Sequence, residues 1–415
     1  MWKSTLKQLW KNRKSNGWIF VEIIIVSVLL WYCVDFMYVI IRKNTEPLGV
    51  NLEHVYRLSL GAHLTRAIDR SSPDSVDALW IDPLLQIVQL VDNYPGVEAT
   101  AYYHGSEPYN ENMMFQGYTA DEVNAHRATI RYVSEAYDKV FKVEIQEGGF
   151  TGWDIRTSPQ GAVVSPELAD SLFHSQAVIG KTFRDYYAPD LKFRVTGVSA
   201  PMKYNVYERY VPFIYTPFNP FRLLYTIPKI GFRVTPEADM PGFEQQFMED
   251  MKNRLNIGPF YLFSVTSYDN QAEAYDIYSG IGKYINIITW VMLFFLFIVF
   301  LGMLGTFWFQ MESRQGEIGL RMALGSSRKG VLRQVMMESM LLFSIAFVPA
   351  FIICASLAYW DITYTYNNAM DYTPVRFWIT ILATAIIMAA TILIGILIPA
   401  YRAARLHPVE ALREE

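Results

Sequence analysis

Four apolar runs set the architecture before any other property of this sequence does. A bilayer core about 30 Å thick takes ~20 predominantly apolar residues of helix at 1.5 Å per residue. Runs of that kind occupy residues 17–41, 285–309, 336–360 and 375–400, and the segment 44–284 between the first two is polar and holds none. The expected fold class is a membrane protein with four α-helical transmembrane spans plus a large α+β extracytoplasmic domain between spans one and two. Hydrophobic residues fill 52% of the 415 positions, which suits a chain that is part membrane and part water-exposed.

Orientation follows from Lys and Arg. Lys3, Lys7, Lys11, Arg13 and Lys14 precede the first run, Arg314, Arg321, Arg328, Lys329 and Arg333 follow the second, and Arg402, Arg405 and Arg413 close the chain, whereas 361–374 has no basic residue. The positive-inside rule then places both termini and the 310–335 loop in the cytoplasm and 44–284 outside, with Arg42 and Lys43 a small count against it. The first run is too long for a secretory signal and no small-residue cleavage site follows it, so it reads as a retained anchor. In the arm 1–16, Trp2, Leu6, Leu9 and Trp10 recur at helical spacing among basic residues. That pattern predicts an amphipathic helix along the membrane surface, the alternative being a basic leader that only sets topology.

Within 44–284, stretches rich in β-branched and aromatic residues predict strands at 97–103, 128–133, 161–165, 193–198, 210–215, 229–234 and 261–265. Helical patterns intervene at 76–92, 166–173 and 241–255, an order that suits an α+β domain with crossovers. Residues 269–284 have helical spacing and lead into the second span, so a continuous helical stalk is expected there.

The sequence carries little catalytic chemistry. A net charge of −4 leaves no basic footprint for nucleic acid. Cys33 and Cys354 lie in apolar runs and cannot staple the soluble part. There is no G-x-x-x-x-G-K-[ST] phosphate loop, no H-E-x-x-H and no G-x-S-x-G. His54, His63, His104, His126, His174 and His407 are scattered without metal-ligand spacing, so neither a metal site nor a catalytic residue is expected. Glu22 and Asp35 sit inside the first span, where a carboxylate is costly. Each either faces the membrane interface or meets a cavity or a neighbouring helix. The aromatic stretch 205–221 either packs in a β core or lines a cavity.

Between spans two and three, ESRQGEIGLRMALG departs from a plain solvated loop. Glu312, Arg314, Glu317 and Arg321 recur at mostly three or four residues, so opposite charges pair along one helix face and leave Ile318 and Met322 to pack. Gly325 stops that helix, and Ser326 or Ser327 caps the next. A short charged helix held between two spans is a docking surface.

Arg314, Glu317, Ile318, Gly319, Arg321, Ala323, Leu324 and Gly325 match an R-x-x-E-I-G-x-R-x-A-L-G run, and PAYRAARLHPVEALREE closes the chain. Both segments resemble the MacB/FtsX-like permeases, the membrane subunits of mechanotransmission-type ABC transporters. YVSEAYDKVFKVEIQEGGF, VVSPELADSLF and VIGKTF followed by VTGV resemble that family's outer domain more weakly. The resemblance implies one span, a large outer domain, then three spans, in a bacterial inner membrane. It also implies that Glu312, Arg314, Glu317, Ile318, Gly319, Arg321, Met322, Ala323, Leu324 and Gly325 dock an ABC ATPase. With no phosphate loop here, ATP and Mg belong to that partner, and the chain itself is not an enzyme and carries no cofactor. The expected domain plan is arm 1–16, span 17–41, periplasmic domain with stalk 44–284, span 285–309, coupling loop 310–335, spans 336–360 and 375–400, and tail 401–415. A second permease chain completes a homodimer or heterodimer. Export of drugs, peptides or other amphiphiles, with a periplasmic adaptor and an outer-membrane channel, is one expectation. Activation of a cell-wall hydrolase and lipoprotein release from the inner membrane are the alternatives.

Overall fold

The computed structural model describes residues 13–63, 77–110, 113–121, 123–175, 177–219, 226–312, 316, 318, 327–360 and 370–405. It divides into two compact units, one of 1–43 with 281–415 and one of 44–280. Helix α1 (Arg13–Thr45) opens the described chain, and the expected arm before Arg13 lies outside the described residues.

The 44–280 unit is built on β1 (Val55–Ala62), β2 (Val97–His104), β3 (Phe115–Thr119), β4 (His126–Val133), β5 (Ile145–Gly148), β6 (Gln160–Val164), β7 (Thr182–Asp185), β8 (Lys192–Ser199), β9 (Phe213–Pro217), β10 (Lys229–Val234) and β11 (Phe260–Ser267). Its helices are α2 (Asp82–Asp92), α3 (Tyr137–Phe141), α4 (Pro166–Phe173), α5 (Phe243–Met251) and α6 (Tyr268–Ser279). Strands β11, β1, β10 and β2 form an antiparallel sheet. Strand β2 joins β4 through Tyr103 opposite Val133 and His104 opposite Tyr132. From β4 the order runs β3, β7, β8, β6, β9, and β9 pairs back onto β4 in parallel, with β5 on β8. The six strands from β4 to β9 thus close into a ring, which leaves them no free edge between β4 and β9.

Alternation explains both cores. Tyr56, Leu58 and Leu60 of β1 and Ile230, Phe232 and Val234 of β10 face Leu84, Ile87 and Val91 of α2 and Phe243, Phe247 and Met251 of α5. Tyr103, Tyr137, Phe141, Phe213, Tyr215 and Tyr268 build a second, aromatic core. Arg233, from β10, stitches the loop before β1 by donating to the carbonyls of Glu53 (2.7 Å) and Asn51 (2.8 Å). Helix α4 starts where its residues direct: Ser165 caps Leu168 N at 3.2 Å and Pro166 takes the first turn.

All seven expected strands are present, and four more appear at β1, β3, β5 and β7. Strands β5 and β7 have four residues each, too short to show a period. The 210–215 strand begins later, at Phe213, because Pro212 has no N–H to give a ladder. The stalk expected over 269–284 is not one helix: Gly280 sits at φ +71 and ends α6, and a new helix starts at Ile281.

The other unit comprises α1, α7 (Ile281–Glu312), α8 (Arg328–Tyr359) and α9 (Pro374–Arg405), and all four helices are long and apolar enough to cross a membrane. Ile19, Ile23, Val26 and Leu30 of α1 meet Val299, Met303 and Phe307 of α7, Leu342, Phe343 and Ala346 of α8, and Met388, Ile392 and Ile396 of α9 in one apolar core. Helices α7 and α9 touch backbone to backbone, since a Cβ on Gly395 would lie 3.1 Å from the Phe300 carbonyl oxygen.

Candidate functional site

The predicted docking segment begins at the end of α7. Glu312 is exposed there, and Gly316 and Ile318 are helical. Arg314, Glu317, Gly319, Arg321, Met322, Ala323, Leu324 and Gly325 lie outside the described residues. Ile318 packs, as its place between the paired charges predicts. Only 8% exposed, it lies in one apolar cluster with Met311, Val331 and Val335, which fastens the segment to the spans. The apolar side chain among charged neighbours is buried for the ordinary reason that it has no polar group to solvate. Ser327, and not Ser326, caps α8, its hydroxyl accepting from Gly330 N at 3.1 Å. Helix α8 therefore starts eight residues inside the loop drawn at 310–335. At the same end of the bundle, the Arg402 guanidinium stands 4.5 Å over the Trp308 ring, tying α9 to the last turns of α7.

The two span carboxylates differ. Asp35 is buried and paired: Arg376 Nε donates to Asp35 Oδ1 at 2.9 Å, and Arg376 Nη2 donates to Oδ2. Arg376 Nη1 also donates to the Met370 carbonyl at 2.9 Å. One turn along α1, Trp31 Nε1 donates to Thr380 Oγ1 at 3.1 Å. Glu22 is half-buried and lies against α7, where its carboxylate occupies the space a Cβ on Gly302 would need. Arg376 escaped the sequence reading because it opens the fourth run and looks like a flanking charge. The signal was there: an Asp late in span one and an Arg early in span four belong to the same face of the membrane.

In the 44–280 unit, a cleft of about 440 Å³ opens between the start of β1 and the first turns of α5 and α6. Asp239 is its centre, 2.6 Å from His54 Nδ1 and accepting from the Tyr56 hydroxyl. Burial first, then that carboxylate, pushes the Tyr56 hydroxyl well above its usual range. Glu244 is spent on Ser267 N and Asn270 Nδ2 at 2.6 and 2.8 Å. Among the described residues no three His, Cys, Asp or Glu side chains are grouped to hold a metal. Within the aromatic stretch from Asn205, Phe213, Ile214 and Tyr215 are fully buried; Phe213 and Tyr215, with Tyr204, box the buried Arg131, whose guanidinium lies 4.3 Å from the Tyr204 and Phe213 rings.

Four membrane-crossing helices with a large α+β domain inserted after the first define the class: a permease-type membrane protein. Family models make it specific, since residues 45–249 match the MacB-like periplasmic core domain and residues 290–408 match the FtsX-like permease C-terminal domain. The chain belongs to the MacB/FtsX-like family of ABC transporter permeases, which makes it a bacterial membrane protein. It is 25% identical to the macrolide export ATP-binding/permease protein MacB 1/2 of Paracoccus denitrificans over 69% of this chain and 42% of that one. It is 23% identical to an ABC transporter permease, YknZ, of Bacillus subtilis over 69% and 70% respectively. A Vibrio parahaemolyticus MacB matches at 22% over 78% and 48%. The chain thus spans about half the length of the MacB relatives. Among solved structures, the periplasmic region of MacB from Actinobacillus actinomycetemcomitans aligns with a TM-score of 0.34 at 16% identity, over 54% of this chain and 94% of that one.

Proposed function

We propose that the chain is the permease subunit of an ABC transporter whose ATPase is a separate polypeptide docking on residues 312–325. The observation that carries this reading is the division of labour at the segment's start: Glu312 is exposed while Ile318 is buried among the spans. A segment fastened to the spans by a buried apolar side chain passes a displacement on to them. The 415 residues hold no phosphate loop, whereas the MacB relatives are named as ATP-binding/permease proteins. In the proposed orientation both termini and the segment are cytoplasmic, in the inner membrane, and 44–280 is periplasmic. A second permease chain completes the assembly. The cargo is an amphiphile exported from the periplasm, in keeping with the macrolide export named for the relatives, with an adaptor and outer-membrane channel as partners.

The test is co-purification of the detergent-solubilised chain from its native membrane. The expected result is an ABC ATPase in the eluate, lost in Glu317→Lys and Arg321→Glu together. Co-purification and transport unchanged by that double reversal would sink the assignment.

A further inference from the structure

The four spans are not fastened to one another evenly. Call the end of the bundle holding Thr45, Ile281, Tyr359 and Pro374 the Thr45 end. There α1 and α9 are bridged by the Asp35–Arg376 pair and the Trp31–Thr380 hydrogen bond, and Trp31 meets the Phe377 ring edge-on at 6.0 Å. Helix α8 joins them through small buried residues, Cys354 and Ala358, in the same cluster as Trp31 and Phe377. Arg376 also holds the Met370 carbonyl, so the α8–α9 connection is drawn into the same node.

Among the described residues, helix α7 contributes none to that cluster. Between 282 and 298 none of its residues is fully buried: Met292, Phe295 and Leu296 rest half-buried against the central apolar core, while Ile287, Trp290, Phe294 and Phe297 are exposed. Its burial resumes at Val299 and continues at Met303, Phe307 and Met311. Its close backbone contact, Phe300 on Gly395, and the Trp308–Arg402 contact both lie in that second half. Helix α9 is thus a spine to which α1 is clasped at one end and α7 at the other.

We propose that the Asp35–Arg376 ion pair is a clasp that makes α1, α8 and α9 one block at the Thr45 end, leaving the first half of α7 as the span segment that moves within the bundle. A bidentate Arg–carboxylate pair suits this task, because both planar groups fix direction as well as distance. In an apolar bundle, parting the charges has no compensating solvent, so the clasp stays shut. Trp31 adds a second rung one turn away, which prevents α1 from turning about the ion pair. The inference concerns helices within one chain and stands apart from the ATPase reading.

The experiment measures distances between spin labels on the full chain in lipid nanodiscs, diluted with unlabelled chain so that only intramolecular pairs count. In a Cys33→Ser, Cys354→Ala background, one label pair joins Leu29→Cys with Leu382→Cys, reporting α1 to α9. The other joins Trp290→Cys with Leu382→Cys, reporting α7 to α9. The expected result is a distribution for the first pair at most half as wide as for the second. Asp35→Asn should broaden the first pair to the width of the second, and Asp35→Arg with Arg376→Asp should narrow it again. Equal widths in the parent, or a first pair unmoved by Asp35→Asn in a monodisperse sample, overturn the clasp. Loss of ATPase co-purification would leave these widths as they are, so the two readings fail separately.

Discussion

Removing one member of the Asp35–Arg376 pair strands the other. The side chains are 1% and 4% exposed, so neither water nor headgroups replace the missing partner. Breaking such a pair from one side costs ~3–5 kcal/mol, while replacing both by apolar groups is often neutral or stabilising. Arg376→Met leaves the Asp35 carboxylate and the Met370 carbonyl unanswered, and Asp35→Leu leaves the guanidinium with that carbonyl alone. For a unit of this size each kcal/mol shifts a melting midpoint by about 2–4 °C, so each single variant should melt roughly 10 °C below the parent. The double variant should melt above either single. The free cysteines supply the assay, since Cys33 and Cys354 are buried and unpaired with each other. A thiol-reactive fluorogenic dye in detergent therefore reports opening of the spans themselves. A double variant melting at the sum of the two single losses refutes the reasoning, because additivity means the two side chains never sensed each other.

Two further outcomes follow from close contacts and charge. Gly395→Val should lower the same melting midpoint, corresponding to ~1–3 kcal/mol of overpacking, because the new side chain meets the Phe300 carbonyl and Met303. Gly305→Val, with nothing within 4 Å of its added Cβ, is the matched control and should shift it much less. In the 44–280 unit, burial raises the Glu107 carboxyl above its ordinary 4.5, with its own backbone N–H, Arg57 and Lys229 opposing. A raised acid favours the folded state while protonated, so its contribution is full below pH 4.5 and is lost as pH rises through the folded value. Glu107→Gln should remove that loss; amide-exchange protection of β1 and β2 compared at pH 4 and pH 7 in parent and variant checks it.

What could be read from the residues divides along range. Membrane-crossing helices are local and long, so hydropathy suffices, and the Ser-Pro start of α4 is equally local. Ring closure is not local: Arg131 on β4 and Tyr215 on β9 sit opposite each other across more than eighty residues, and nothing near either announces it. A charged residue in a strand ordinarily signals a solvent face, and Arg131 misleads because aromatic rings and a tyrosine hydroxyl take the place of water. Gly280 was visible as a glycine, yet helical spacing continued on both sides of it, and only its φ of +71 shows that the turn is broken. The Asp35 partner needed the arrangement of four helices, which no single segment encodes.

Ile318 separates two properties that the docking segment was expected to combine. Its cluster contains Met311 of α7 and Val331 and Val335 of α8, so a displacement of the segment reaches both helices at once. At that same end Arg402 and Gly395 fasten α7 to α9. On the proposed docking of an ATPase, grip on that partner and transmission to the spans reside in different side chains. Ile318→Asp should leave ATPase co-purification near the parent level while abolishing transport, because a carboxylate cannot stay in that apolar contact and the segment swings free of the spans. Glu317→Lys should remove the ATPase itself. The check is to measure, for each variant, the ATPase recovered per permease and the ATPase rate per complex. Loss of ATPase recovery in Ile318→Asp equal to that in Glu317→Lys would show that grip and transmission are one property after all.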